Sequence, residues 1–236
     1  MTNKKWNKFG KITEICYLNM IGAEKDGSCW EQAFELLMEI IQEERAQDPN
    51  YAPELEMLDD TTDYKYDIQG WLEDCLDEID MRGNHKLLLK MCDNLLDMFG
   101  WPEYSNSDIK FRKATVMAQL GQKKDAVAFC ERWLQNEPEN IIAACAAVYA
   151  FIEVKEFEEA EKIVEQFLPD KSQCSEENDM MFVAASTLYQ LTGRKKEKKI
   201  VDNALKQYEE YLKEYFEALD FDDDEEEFYG EDLPFS

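Results

Sequence analysis

The fold is decided by residues 107–138, which read SDIKFRKATVMAQLGQKKDAVAFCERWLQNEP. Apolar residues recur at helical spacing on both sides of Gly121, which indicates two amphipathic helices joined by a tight turn at that glycine. Ala114 and Ala126 are small enough to let the two helices cross closely. Pro138 ends the second helix because proline has no amide hydrogen to donate. The stretch therefore predicts a hairpin of two antiparallel helices.

The spacing of these residues resembles that of a known repeat. Ala114, Gly121, Ala126 and Pro138 stand at the small-residue, turn, small-residue and closing-proline positions of the 34-residue tetratricopeptide repeat, and Leu134 also fits. The resemblance implies a solenoid whose first helices line a concave groove that holds extended or helical peptides. It also implies a non-catalytic scaffold or adaptor that binds proteins or peptides.

The same pattern recurs on both sides of this hairpin. Residues 83–96 align with residues 121–134 at a constant offset of 38, with Gly, Lys, Cys and Leu at matched positions. In the unit that starts near Ile141, Lys155 replaces the turn glycine. These repeats predict an all-α fold, a right-handed superhelix of about five antiparallel helix hairpins in one domain over residues 1–219. The units lie near residues 10–50, 66–100, 107–138, 141–168 and 179–215.

Two segments lie outside the repeats. Residues 51–63 contain turn formers and clustered acids without a sustained period, and they are predicted to form a long connection. Nine of the thirteen residues from 220 to 232 are acidic. Because a run of like charges opposes folding, the tail over residues 220–236 is predicted to be disordered, and the sequence leaves open the alternative that it docks on the repeats.

The groove implied by the resemblance changes character along the chain. It begins acidic and becomes apolar and aromatic, which favours a peptide with basic residues at one end and hydrophobic anchors at the other. Residues 141–154 are apolar nearly all round, which is equally typical of a helix buried at the centre of the stack, and the sequence leaves both interpretations open. The predicted peptide-binding residues are Glu73, Asp77, Asp80, Phe111, Thr115, Tyr149, Ile152 and Thr187.

The net charge of the chain limits the classes of partner that can bind it. The sequence has 26 basic and 53 acidic residues, a net charge of −27. Such a surface repels nucleic acids and anionic membranes, so neither is expected to bind directly. The expected partner is a protein or peptide with basic and hydrophobic segments. The charge also supports an alternative function, in which the chain is an acidic regulator or inhibitor that mimics nucleic acid and binds a basic, nucleic-acid-binding protein.

The sequence does not indicate a catalytic or metal site. His85 is the single histidine, so it offers neither a Ser-His-Asp nor a Cys-His arrangement, and the seven cysteines include no CxxC pair for zinc. We therefore expect no enzyme activity, no cofactor and no metal. The odd number of widely spaced cysteines favours a reducing, cytoplasmic location. The longest uncharged apolar run, residues 141–152, is too short to span a bilayer.

Overall fold

The computed structural model describes residues 2–222, with side chains from residue 4 to residue 217. The described chain is all-helical and contains no strand, which confirms the all-α prediction. The predicted acidic tail lies outside the described residues from residue 223 onward. The helices are α1 (Thr2–Met20), α2 (Ser28–Gln47), α3 (Met57–Asp60), α4 (Ile68–Met81), α5 (His85–Met98), α6 (Ser107–Gln119), α7 (Lys123–Asn136), α8 (Ile141–Val154), α9 (Phe157–Phe167), α10 (Asp179–Leu191) and α11 (Lys195–Asp222).

One recurrent turn joins consecutive helices at five places in the described chain. Gly121 has a φ of 81°, and Lys155 adopts a φ of 65° at the corresponding place, so the turn keeps its left-handed backbone where the sequence has lysine. In every turn an amide donates a hydrogen bond to the carbonyl five residues earlier. These bonds run from Ala23 to Leu18, Asn84 to Ile79, Gln122 to Met117, Glu156 to Phe151 and Arg194 to Tyr189. The last four turns follow one another at intervals of 38, 34 and 38 residues.

The chain divides into two compact units, Met1–Ala146 and Ala147–Ser236. In the first unit, aromatic rings form the centre of the core. Trp71 lies edge-on to Phe9 at 5.1 Å and stacks on Trp30 at 6.3 Å, and Trp6 stacks on Tyr66 at 5.5 Å. Because Trp30, Phe9 and Trp71 come from α2, α1 and α4, this cluster fixes the first three long helices against one another.

In the second unit, α10 supplies more buried side chains than any other helix. Phe182, Leu188 and Tyr189 are fully or almost fully buried, and Val201 and Ala204 of α11 lie on the buried face of that helix. The prediction of a single repeat domain over residues 1–219 stays a prediction. Within residues 2–222, no helix has both the length and the apolar composition that crossing a membrane requires.

The connection between the first two hairpins is ordered, and it caps a helix. Its residues 57–60 form α3, which the sequence did not predict. Asp59 is buried, and its carboxylate accepts hydrogen bonds from the amides of Ile68 and Gln69 at 2.6 and 3.1 Å. A carboxylate at this position satisfies two amides that the first turn of α4 leaves unpaired and complements the helix dipole.

Replacing Asp59 by alanine is expected to lower the free energy of unfolding by about 2–3 kcal/mol, because one buried and one partly buried amide lose a charged acceptor. Urea unfolding followed by far-UV circular dichroism measures the change. Asp59→Asn keeps one acceptor oxygen and should lose less stability. The matched control is Glu56→Ala, which removes an exposed carboxylate from the same connection. Equal stability of Asp59→Ala and Glu56→Ala would contradict the capping role.

The same connection is tied to α2 and α5 by one arginine. The guanidinium group of Arg45 donates to the carbonyl oxygens of Tyr51 at 3.1 Å and of Ala52 and Met98 at 2.5 Å each. It also lies 5.0 Å from the centre of the Phe99 ring. All three acceptors are backbone groups, so Arg45 joins the ends of α2 and α5 to the connection without using a carboxylate.

Candidate functional site

The acidic part of the predicted site lies on the outer face of α4. Glu73 and Asp77 are exposed and Asp80 is half-buried. The opposite face of the helix holds Trp71 and Cys75 in the core. The amphipathic pattern of α4 therefore places the three predicted carboxylates on one surface, as their spacing of four and three residues requires.

A basic residue that the sequence analysis missed lies against this surface. Arg112 of α6 binds Asp77 with an N–O distance of 2.7 Å and approaches Asp80 at 3.9 Å. Arg112 follows Asp77 by 35 residues, which is close to the interval between repeats, so the repeat register was the signal that could have found it. Asp77 and Asp80 thus lie beside Arg112. Glu73, on the same face, makes no ion pair within the described residues.

The next two predicted residues lie beside Arg112 on α6. Phe111 is half-buried, and Thr115 is exposed one turn later. The Thr115 hydroxyl donates to the carbonyl oxygen of Phe111 at 3.0 Å, which uses its proton within the helix. The structure thus brings five predicted residues together on α4 and α6 of the first unit: Glu73, Asp77, Asp80, Phe111 and Thr115.

The predicted residues of α8 differ in exposure. Tyr149 is half-buried, whereas Ile152 is only 9% exposed. The helix is buried over residues 143–148 as well, so most of its apolar surface is core. The sequence left open whether this helix lines the groove or lies in the core. Ile152 lies in the core, whereas Tyr149 is partly exposed.

The face of α10 that carries the predicted residue Thr187 also exposes apolar side chains. Val183 is 48% exposed, and Met180 precedes it by three residues on the same exposed face. Thr187 follows one turn later, half-buried, and its hydroxyl donates to the carbonyl oxygen of Val183 at 3.0 Å. Side chains separated by three and four residues share one helical face, so these residues form a continuous surface.

A second polar cluster joins α6 to the end of α7 and has a structural role. The Glu137 carboxylate accepts hydrogen bonds from Lys110 at 2.5 Å, from the Trp133 indole at 2.7 Å and from the Asn140 amide at 2.6 Å. Burial acts to raise the pKa of Glu137, but these donors outweigh it and the pKa is lowered. Asn140 is buried, bonds Ser107 at 2.9 Å and accepts from two amides at the start of α8. The cluster therefore positions helix ends.

The described residues do not gather the groups that a metal needs. Among residues 4–217, no three His, Cys, Asp or Glu side chains are placed to hold a metal ion. His85 is half-buried at the start of α5. The exposed faces of α4, α6 and α10 present carboxylates, one aromatic ring and aliphatic side chains.

Comparison with known proteins assigns no family to the chain. No protein-family model, no curated protein and no solved structure matches it. The likeness of residues 107–138 to a tetratricopeptide repeat stays a resemblance in sequence.

Proposed function

We propose that the chain is a non-catalytic helical-repeat protein, similar to tetratricopeptide-repeat proteins, that binds a protein or peptide segment on the outer faces of its first helices. The observation that carries the proposal is the surface formed by Met180, Val183 and Thr187 on α10. Aliphatic side chains that stay about half exposed on one helix face offer a hydrophobic anchor point. The net negative charge of the chain does not account for these exposed aliphatic side chains.

The acidic face of α4 contributes a different kind of contact. Glu73 is exposed there, and Asp77 is exposed but bound to Arg112. A basic side chain of a partner can therefore bind Glu73 directly, but it must compete with Arg112 for Asp77. We infer that aliphatic contacts supply most of the affinity and that carboxylates supply selectivity for a basic segment.

The α10 surface is tested by Val183→Asp, because a buried charge in a hydrophobic contact is costly. The expected result is loss of a bound partner in affinity capture from cell lysate at high salt. Ile200→Asp is the matched control, since Ile200 of α11 is also 48% exposed but lies outside the predicted site. Retention by the control and loss by Val183→Asp supports the proposal.

Release of the partner by high salt, from both variants alike, supports the alternative function. A partner that both variants retain at low salt, and that high salt releases from both, is held by charge. That outcome contradicts binding through the α10 surface and favours an acidic mimic that binds a nucleic-acid-binding protein.

A further inference from the structure

The last helix is much longer than the helix it packs against. α11 contains 28 residues, whereas α10 contains 13. At 1.5 Å per residue, roughly 20 Å of α11 has no counterpart in α10. The second half of α11 therefore needs another partner if its apolar face is to be covered.

The buried face of α11 continues into this second half. Val201 and Ala204 are buried, Tyr208 is half-buried, and Tyr211 and Tyr215 are 59% and 50% exposed. These five residues are spaced by three and four, the spacing of one face in helix pairs that wind around each other. The three tyrosine rings follow one another with centres 6.5 and 6.3 Å apart. The buried face of α11 thus continues into a row of more exposed tyrosines, which we call the aromatic stripe: Tyr208, Tyr211 and Tyr215.

The charges beside the stripe select its partner. Residues 208–217 carry four glutamates and one lysine, so two copies of this segment repel each other. A partner helix must instead combine apolar side chains with lysine or arginine. The second half of α11 therefore favours a basic amphipathic helix.

The outer face of α1 has these properties. Lys4, Lys8, Lys11, Ile15 and Leu18 are exposed and spaced alternately by four and three residues. None of these lysines makes an ion pair within the described residues. Residues 4–18 carry four lysines and one glutamate, the reverse of the charge on residues 208–217. This face is thus basic in its first half and apolar in its second.

We propose that the aromatic stripe of α11 in one copy binds the outer face of α1 in a second copy. In antiparallel order, Ile15 and Leu18 pack against Tyr211 and Tyr208, and the lysines of α1 face the glutamates that follow Tyr211. The two surfaces lie on different helices, so a bound pair of copies leaves one surface of each kind open. Association is therefore head-to-tail and can continue beyond a dimer. It uses neither α4 nor α10 and is independent of the proposed binding site.

Sedimentation velocity of the full chain tests this association. The wild type is expected to gain mass as concentration rises and to lose part of that gain at high salt. Two double variants remove one surface each: Lys8→Glu with Lys11→Glu in α1, and Tyr211→Ser with Tyr215→Ser in α11. Each is expected to weaken association by about tenfold or more, because a few anchor residues carry most of the affinity of an interface.

Mixing the two variants separates this geometry from other modes of association. Each variant keeps the surface that the other has lost, so an equimolar mixture should form a dimer and stop there. The control is Lys195→Glu with Lys196→Glu, which makes the same charge change at exposed lysines at the other end of α11 and should associate like the wild type. A monomeric wild type at every concentration overturns the proposal. So does unchanged association of the α1 variant, since the aromatic stripes would then bind each other.

Discussion

Replacement of Trp71 by alanine is expected to lower the free energy of unfolding by about 3–5 kcal/mol, the cost of deleting a large aromatic side chain from a core. Trp71 is fully buried, packs edge-on to Phe9 and stacks on Trp30. The indole therefore contacts two other helices, and its removal leaves a cavity that these aromatic neighbours cannot collapse to fill. Urea unfolding followed by far-UV circular dichroism measures the loss.

Two further variants show whether the position or the residue type matters. Trp71→Phe keeps an aromatic ring at the site and should lose much less stability than Trp71→Ala. Trp101→Ala removes an indole that is only half-buried, so its cost should also be smaller. A loss below about 1 kcal/mol for Trp71→Ala would mean that the aromatic cluster does not hold the first unit together.

Alkaline solution is expected to destabilise the chain steeply. Burial raises the pKa of the Cys75, Cys92 and Cys130 thiols to about 12, and it also raises the pKa of Cys16. In the unfolded chain the same thiols lose their protons near about pH 8.5. Between these values the unfolded state binds fewer protons than the folded state, so stability falls as pH rises.

The size of this effect follows from linkage. Each thiol with such a raised pKa removes about 1.4 kcal/mol of stability per pH unit, so Cys75, Cys92 and Cys130 alone remove about 4 kcal/mol per unit above about pH 9, and Cys16 adds to this slope. Two pH units then consume an amount comparable to the whole stability of a typical domain, about 5–15 kcal/mol. Below about pH 8 the thiols are protonated in both states, and this dependence disappears.

Urea unfolding at a series of pH values measures the slope. Cys75→Ala should reduce the slope by about 1.4 kcal/mol per pH unit, whatever its effect on stability at neutral pH, because one buried thiol no longer titrates. A free energy of unfolding that stays constant from about pH 8 to about pH 10 would contradict the prediction.

The hairpins could be predicted from sequence because their signals are local. Gly121 marks a turn by its own conformational freedom, and Ala126 marks a close crossing by its size. Lys155 shows the same turn without the glycine, and it was found only through its register in the repeat. The helix α3 and the cap formed by Asp59 were not predicted. Nothing near Asp59 in the sequence shows that the chain folds back to place its carboxylate on the first turn of α4.

The candidate site was less predictable, because exposure depends on what covers a helix. The polar and apolar faces of α4 differ clearly, so the surface position of Asp77 followed from spacing. In α8 both faces are apolar, and the sequence could not show that Ile152 is buried while Tyr149 is partly exposed. The ion pair from Arg112 depends on the approach of α6 to α4, which spacing within either helix does not determine.

The arginine at the end of α2 has a consequence for acid tolerance. Lys110 is held by the carboxylate of Glu137, and this link fails once acid protonates that carboxylate, even though its hydrogen-bond donors lower its pKa. Arg45 is held by carbonyl oxygens, which take up no proton in this range, and its guanidinium stays charged. As pH falls, the junction of α2, α5 and the connection should therefore be among the last parts of the first unit to unfold. A partly acid-unfolded form would keep this junction after other helices of the unit have lost their contacts.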